Sequence, residues 1–428
     1  MNTIDDDYEF RRFAPSGAAV SPETRGWLQA DAQGFHAKRF TEASLMRVSE
    51  GLVTDGQTLA GAYARSRQES SLPAEYPVAT FASFPKSLNI GGGRMLPAHL
   101  ISSVTVRPTH RRRGLLRRMM TENLAAASAE GFAIAALTAS EATIYRRFGF
   151  GPAVWHRSIS LSTDAGFRLL TVPSGTCDWV AASDLADIGP RIFGRFHAAQ
   201  TGSVDRHVGI WHHVTGLVDS DGQEDRSVRA ALHYDEGGSV DGYVSYRFTG
   251  WEAEKRAVKV LDLVAADDNA ALGLWQYLAS IDLVDTVTWK MGRLDEPLAW
   301  ALEDPRRITV TDVDDWLWLR ILDVPRALEA RPYGTTGQLV LRVDDALGHA
   351  SGVFRLVVTD AGASVTQDDS ASPDLELDAW VLGSLYLGGA DPRSLAAAGQ
   401  LVEHTPGAVA TLRSLLAPDQ PVYGITPF

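Results

Sequence analysis

Apolar and polar positions alternate along Tyr76 to Phe84 and again along Arg94 to Val106, the two-residue period of extended chain, with Gly91-Gly92-Gly93 as the turn between them. From Gly114 to Glu130 the spacing lengthens to that of a helix rich in Ala, Leu and Met, which stops at Gly131. The apolar run Phe132 to Thr138 then predicts a buried strand. A short helix ended by glycine follows within Ser140 to Pro152, and Val154 to Leu161 is a further strand. Ahead of this strand, helix, strand series, the segment from Thr3 to about Arg65 reads as loop and helix. Ser21-Pro22-Glu23-Thr24 is a helix start there, and Trp27, Phe35 and Phe40 are candidates for a core or a pocket wall.

The same order recurs further on. Gly242 to Thr249 and Val258 to Val264 read as extended, Ala270 to Leu278 as helix, and Thr286 to Met291 as extended again, which suggests a degenerate duplication. After Trp316-Leu-Trp-Leu-Arg320 the character changes. Strands are expected at 337–343, 352–358 and 375–377, and helices at 380–387 and 394–401. The expected class is therefore α+β, with two tandem mixed units at 1–163 and 164–312 and a compact α+β unit at 313–428.

At 428 residues the chain is long enough for several separate cores. No run of eighteen apolar residues offers a membrane span, and Met1 to Val20 is acidic and aromatic where a secretory signal would be basic and then apolar. The expected compartment is the cytoplasm. The single cysteine, Cys177, permits no intrachain disulfide and no cysteine zinc site, and without motif context it reads as a small buried hydrophobe. His212 and His213 lack partners at metal-ligand spacing, and no metal is expected. With 40 Lys and Arg against 53 Asp and Glu, the net charge of −13 disfavours a nucleic-acid surface and favours cationic visitors.

Against that balance, six arginines lie between Arg107 and Arg118, and no acidic residue occurs between Glu75 and Glu122. A strand, a short basic loop and a helix starting near Gly114 gather backbone N–H groups, the positive end of the helix dipole and guanidinium forks at one place, which suits a diphosphate. The alternative is a solvated helix face pairing with surface acids. In the second copy the corresponding loop is Ala265-Ala-Asp-Asp-Asn-Ala270, whose aspartates would repel a phosphate, so that copy is expected to retain the fold and not the ligand.

Arg111, Gly114 and Leu116 follow the Arg-x-x-Gly-x-small signature of the GNAT superfamily of N-acetyltransferases, with leucine in place of the final small residue. The longer runs Val106 to Leu116, Ala139 to Pro152, Leu317 to Arg320, Asp323 to Arg331 and Val381 to Gly388, with the terminal Phe428, resemble the Eis (enhanced intracellular survival) family across essentially the whole chain. That resemblance implies two acetyltransferase-like domains, the second degenerate, followed by a sterol-carrier-protein-2-like domain. It also implies acetyl-CoA as co-substrate, with Val104, Thr105 and Val106 pairing with the pantetheine arm. Arg112, Arg113, Gly114, Leu115, Leu116 and Arg117 would wrap the pyrophosphate, and Ser140 and Glu141 would line the thioester end.

The same resemblance makes Tyr145 the general acid toward the departing thiolate and the carboxylate of Phe428 the general base. Without it, Tyr145 reads as a core aromatic beside Phe148 and Phe150, and the terminus as a frayed end. A tyrosine suits the acid role, since its ordinary pKa of about 10 lies only about 1.5 above a thiol's. A base is needed because a lysine-like amine is only about 0.04% neutral at pH 7. His110, among arginines, reads as structural. Family members act on amines, including those of aminoglycosides and lysine side chains, and form hexamers, so a cationic amine substrate, antibiotic resistance and a homo-oligomer are the corresponding expectations. Ser103 stands where the family often has an aromatic wall, and Pro427 where an acid can face cationic drugs. A narrow acetyltransferase for one lysine or metabolite, and a non-catalytic acyl-CoA or lipid-binding protein, are the competing readings.

Overall fold

The computed structural model describes residues 4–16, 19–218, 223–250 and 256–428. The N-terminal part supplies β1 (Tyr8–Phe13), β2 (Thr58–Ala64), β3 (Ala79–Asn89), β4 (Met95–Val106), β5 (Ile134–Thr138) and β6 (Gly151–Ser162). The middle part supplies β7 (Thr176–Val180), β8 (Val228–Tyr234), β9 (Val240–Phe248), β10 (Ala257–Ala265), β11 (Thr286–Gly292) and β12 (Ile308–Ile321). All twelve form one sheet in the order β1-β2-β3-β4-β5-β12-β6-β11-β10-β9-β8-β7. Two pairs in it are parallel, β4 with β5 and β10 with β11. Each is joined by a crossover helix, Leu115–Ala129 in the first case and Asp268–Ala279 in the second. The recurrence legible in the sequence is thus a recurrence of the crossover unit.

Strand β12 runs through the boundary expected at 312/313 and lies between β5 and β6 of the first unit. It pairs from Leu317 to Ile321 with Thr138 to Ile134 on one side and with β6 on the other. Trp318 and Leu319 are buried there on opposite faces, each against a different apolar core. A five-stranded sheet follows, of β13 (Gly337–Asp344), β14 (Gly352–Thr359), β15 (Gly362–Gln367), β16 (Leu375–Asp378) and β17 (Leu401–Glu403), in the order β15-β14-β13-β16-β17. Its helix Ala379–Leu385 presses on the first sheet so closely that a Cβ on Gly151 would stand 1.9 Å from the Trp380 carbonyl oxygen, and one on Gly383 2.2 Å from that of Leu319. Glycine at both positions lets helix and strand share one core, which includes Leu319, Leu341, Leu382 and Leu385.

Seven strands were not legible in the periodicity. Strand β1 is half charged, β2 is Ala- and Gly-rich with little strand preference, β7, β8 and β12 carry charged residues that break up their apolar runs, and β15 and β17 are short and polar at the edges of their sheet. Pairing with neighbours, not propensity, makes them strands. The helix expected at 394–401 ends at Ala397, because Gly399 turns the chain with φ +72° and Leu401 then pairs with Leu377.

Candidate active site

Strands β4 and β5 pair only from Ala98 to Ile101 against Ile134 to Leu137. Beyond that β4 continues to Val106 while β5 ends at Thr138, so the sheet opens into a fork. On its other edge β4 slips register with β3 between Thr80/Thr105 and Ala82/Ser102, and the extra residue, Ser103, has φ +54°. This bulge is braced locally. Thr80 Oγ1 donates to the Ser103 carbonyl at 2.9 Å, and with its proton so engaged it accepts from Thr105 Oγ1 at 2.6 Å. The helix Pro22–Gly34 lies against the bulge, where a Cβ on Gly34 would meet Thr105 at 2.6 Å. Asp31 of that helix is held behind the bulge by Ser103 and Thr80, and burial pushes its carboxyl up to about 7.

The chain then makes a short 3-10 turn, Pro108–His110, passes Arg112 at φ +63° and enters the helix Leu115–Ala129 through Gly114 at φ +83°. No side chain caps that helix start, so its first N–H groups are free to meet an anion. The arginines divide by partner. Arg107 donates to the Pro77 carbonyl, Arg111 to that of Val106, and Arg113 to the Tyr8 hydroxyl and the Thr109 carbonyl. Among the described residues Arg118 alone of the six is ion-paired, to Asp5 and Glu122, with its guanidinium over the Phe10 ring. Arg112 and Arg117 have neither hydrogen bond nor ion pair among the described residues. Among the described residues the mixed-sign helix face is therefore realised at Arg118 only. His110 is held neutral by burial and by Arg113 and Arg107, with Thr109 Oγ1 2.9 Å from its Nδ1.

Fork, loop and helix start enclose a cleft of about 680 Å³. Val104 to Val106, Arg112 to Arg117, Ser140, Glu141 and Tyr145 all line it. Tyr145 ends the short helix Ala142–Tyr145 and packs edge-on against Phe150, with ring centroids 6.3 Å apart. The ring is 6% exposed, as the core reading expects, and it also borders the cleft. Burial, with Glu141 adding to it, pushes the Tyr145 hydroxyl up to about 12. Its hydroxyl has no hydrogen-bond partner among the described residues. Gly34, Phe35 and His36 also line the cleft; sequence reasoning leaves Phe35 open between core and pocket wall and does not name Gly34 or His36. Phe35 at 51% exposure was the available signal, a large aromatic left outside the core that takes Trp27.

Phe428 does not line the cleft, but the structure brings it to the end of β5. Thr138 Oγ1 donates to the Phe428 carbonyl oxygen, and the Phe428 ring meets Phe84 edge-on at 6.3 Å. The tail leading there is docked rather than frayed. Tyr423 N donates to the Thr201 carbonyl, His156 Nε2 to that of Gly424, Thr426 Oγ1 to that of Val204 and His207 Nε2 to that of Pro427. Burial lowers His156 to about 4, and His207 is lowered for the same reason, so both serve as neutral donors at pH 7. Cys177 lies away from this site with its thiol pushed by burial up to about 11. Among the described residues no group of His, Cys, Asp or Glu is placed to hold a metal ion, and no helix is long and apolar enough to cross a membrane.

Comparison with known proteins agrees with this geometry. Models described as acetyltransferase (GNAT) domains match residues 21–153 and 202–321, and a sterol carrier protein domain matches 324–424. The second match ends at the last residue of β12. An uncharacterized N-acetyltransferase of Streptomyces griseus is 38% identical over 91% of this chain and 93% of its own length. N-acetyltransferase Eis of Mycobacterium tuberculosis is 34% identical over 78% of this chain and 82% of its own. The crystal structure of Eis1 from Mycobacterium abscessus, 27% identical, superposes with a TM-score of 0.79 over 98% of this chain and 100% of that one. The GNAT fold implies use of acetyl-CoA, and the forked, cation-lined cleft fits that co-substrate. A forked sheet, an uncapped helix start among unpaired arginines and this degree of kinship together make the chain an N-acetyltransferase of the Eis-like family, with two acetyltransferase domains and a sterol-carrier-protein-like domain.

Proposed function

We propose that the protein transfers the acetyl group of acetyl-CoA directly to a primary amine, with Tyr145 as the acid and the Phe428 carboxylate as the base. The observation that carries the reading is the docking of the last residue on Thr138, at the end of the strand whose next turn bears Ser140, Glu141 and Tyr145. The backbone of Val104 to Val106, on the part of β4 that runs past its pairing with β5, would pair with the amide-bearing pantetheine arm as an added strand would. Arg112 and Arg117, unpaired among the described residues, and the N–H groups after Gly114 would take the pyrophosphate, with Arg113, Leu115 and Leu116 forming the rest of the turn. No nucleophile is needed, because an acid and a base on opposite sides of the acyl carbon suffice for attack and departure.

The high pKa of Tyr145 sharpens its part. A hydroxyl at about 12 stays protonated at every pH at which the enzyme would work, and it lies about 3.5 above a typical thiol rather than the 1.5 of an unperturbed tyrosine. Tyr145 therefore acts first as a hydrogen-bond donor to the sulfur as charge develops, and its proton is drawn across only as the bond to the acyl carbon breaks. At the other end the amine's proton passes to the Phe428 carboxylate, directly or through water. The net charge of −13 favours cationic acceptors of the polyamine, lysine-like or aminoglycoside kind, and assembly into hexamers is part of the same family-based proposal. Thiol release from acetyl-CoA with a panel of such amines tests it. Release dependent on the amine is expected, and none above background with any of them would leave an acyl-CoA-binding module in place of an enzyme.

A further inference from the structure

Tyr145, the arginine-lined cleft and Thr138 all belong to the first acetyltransferase unit, yet a residue of the second unit also reaches the end of the C-terminal tail. His207 Nε2 donates to the Pro427 carbonyl at 3.1 Å. Proline has no N–H to give, so that carbonyl is the backbone group through which residue 427 can be hydrogen-bonded. The His207 ring also meets Phe84 edge-on, with centroids 6.2 Å apart, and the Phe428 ring meets the same Phe84 edge-on at 6.3 Å. One phenyl ring of β3 is thus shared by the histidine and by the last residue of the chain.

His207 is itself fixed from the first unit. It stands just before the helix Val208–Val214, and the Val208 N–H donates to Asp55 Oδ2 at 3.0 Å. Asp55 Oδ1 pairs with Lys86 Nζ at 2.9 Å, and both side chains are largely buried, at 4% and 15% exposed. Removing one partner of a buried pair is costly, which makes this a firmer anchor than a surface ion pair. Lys86 lies on β3 two residues after Phe84, so one strand carries both the ring and the anchor. Burial holds the His207 imidazole below its ordinary pKa; Lys86 and Arg206 act in the same direction, and Asp55 and the bond to Pro427 oppose them. A neutral ring offers the tail a donor without a charge. An imidazolium next to the terminus would instead hold the carboxylate's pKa down and blunt it as a base.

We propose that His207 is a positioning residue for the transfer reaction: the second unit supplies the N–H that keeps the Phe428 carboxylate in place to act as the base. This rests on the reading of that carboxylate as the base. A displacement of about 1 Å can cost about 10²-fold in rate, so one hydrogen bond to the preceding peptide is enough to matter.

His207→Leu, which fills the space beside Phe84 and removes the donor, and His207→Gln, which restores an N–H at the same reach, test this in the full-length protein. Thiol release with the best amine of the panel should show kcat lowered about five-fold or more by leucine, with KM for acetyl-CoA unchanged and glutamine recovering most of the loss. Release of the terminal phenylalanine by a serine carboxypeptidase, followed by intact mass, reads the tail directly and needs no acceptor; it should be several-fold faster in the leucine variant and near wild type with glutamine. Should leucine prevent folding, His207→Asn takes its place, since its amide stops one bond short of the carbonyl. Turnover or tail release unchanged in a folded donor-lacking variant, or equal losses with and without the restored N–H, would overturn the assignment. Deletion of Phe428 separates the two readings: if it lowers turnover and His207→Leu does not, His207 alone falls, whereas a deletion without effect removes the terminal base and the role of His207 together.

Discussion

Replacing Tyr145 with phenylalanine separates catalysis from packing at a single atom. The Tyr145 ring is 6% exposed and rests on Phe150, so alanine at this position would open a cavity of the kind that costs about 3–5 kcal/mol. Phenylalanine keeps the ring. The hydroxyl it removes has no partner among the described residues, so the change in stability should stay within about 0.5 kcal/mol of zero. Turnover should nevertheless fall by roughly 10²–10⁴, the range for loss of a general acid. Because burial holds the hydroxyl at about 12, only about 0.1% would be ionised at pH 9, and the wild-type to mutant ratio of kcat should be flat from pH 6 to 10. Steady-state thiol release over that range, with Kd for desulfo-CoA measured alongside, is the assay. A fall of less than three-fold, a ratio that closes toward pH 10, or a matching loss of CoA affinity would refute the assignment.

Arg112→Ala should raise Kd for desulfo-CoA about tenfold or more, as expected of one charge-assisted contact, with turnover at saturation nearly unchanged and the difference shrinking as salt is added; calorimetry checks it. Deleting Phe428 should lower turnover more than Phe428→Ala does, because the latter retains a terminal carboxylate and loses only the ring on Phe84; equal losses would assign the effect to packing. Acid should loosen the tail at His156. Its folded pKa of about 4 lies below the ordinary 6.5, so the unfolded chain binds the proton more readily. The stability it contributes is full above pH 6.5 and is lost as pH falls toward 4, about 3 kcal/mol at most. Denaturant midpoints between pH 7 and 4, compared with those of His156→Gln, read this out.

Much of the site was legible because it is local. The strand, loop and helix from Val104 to Arg117 are contiguous, their charge pattern is absent elsewhere, and Ser140 to Tyr145 follow one strand later. What the sequence hid was non-local. Nothing in Ile308 to Ile321 shows that it fits between β5 and β6, since both its edges are set by residues more than 140 positions away. The bulge at Ser103 was equally hidden, because serine is not a residue that advertises positive φ. Arg118 is marked in the sequence by Glu122 four residues on, while the arrival of Asp5 from the N-terminus could not be read there.

The late arrival of β12 bears on how the protein comes into being. Until Ile321 has left the ribosome, β5 and β6 each present a long row of unpaired amides and carbonyls with no strand between them, a template that invites foreign strands. The first unit therefore cannot mature at the pace of its own synthesis, and has to wait for the whole middle unit to be made. A nascent chain released early would carry a complete acyl-CoA loop on an unfinished sheet. Removal of such products is the task of proteolysis, and a chain halted anywhere before Ile321 should be short-lived.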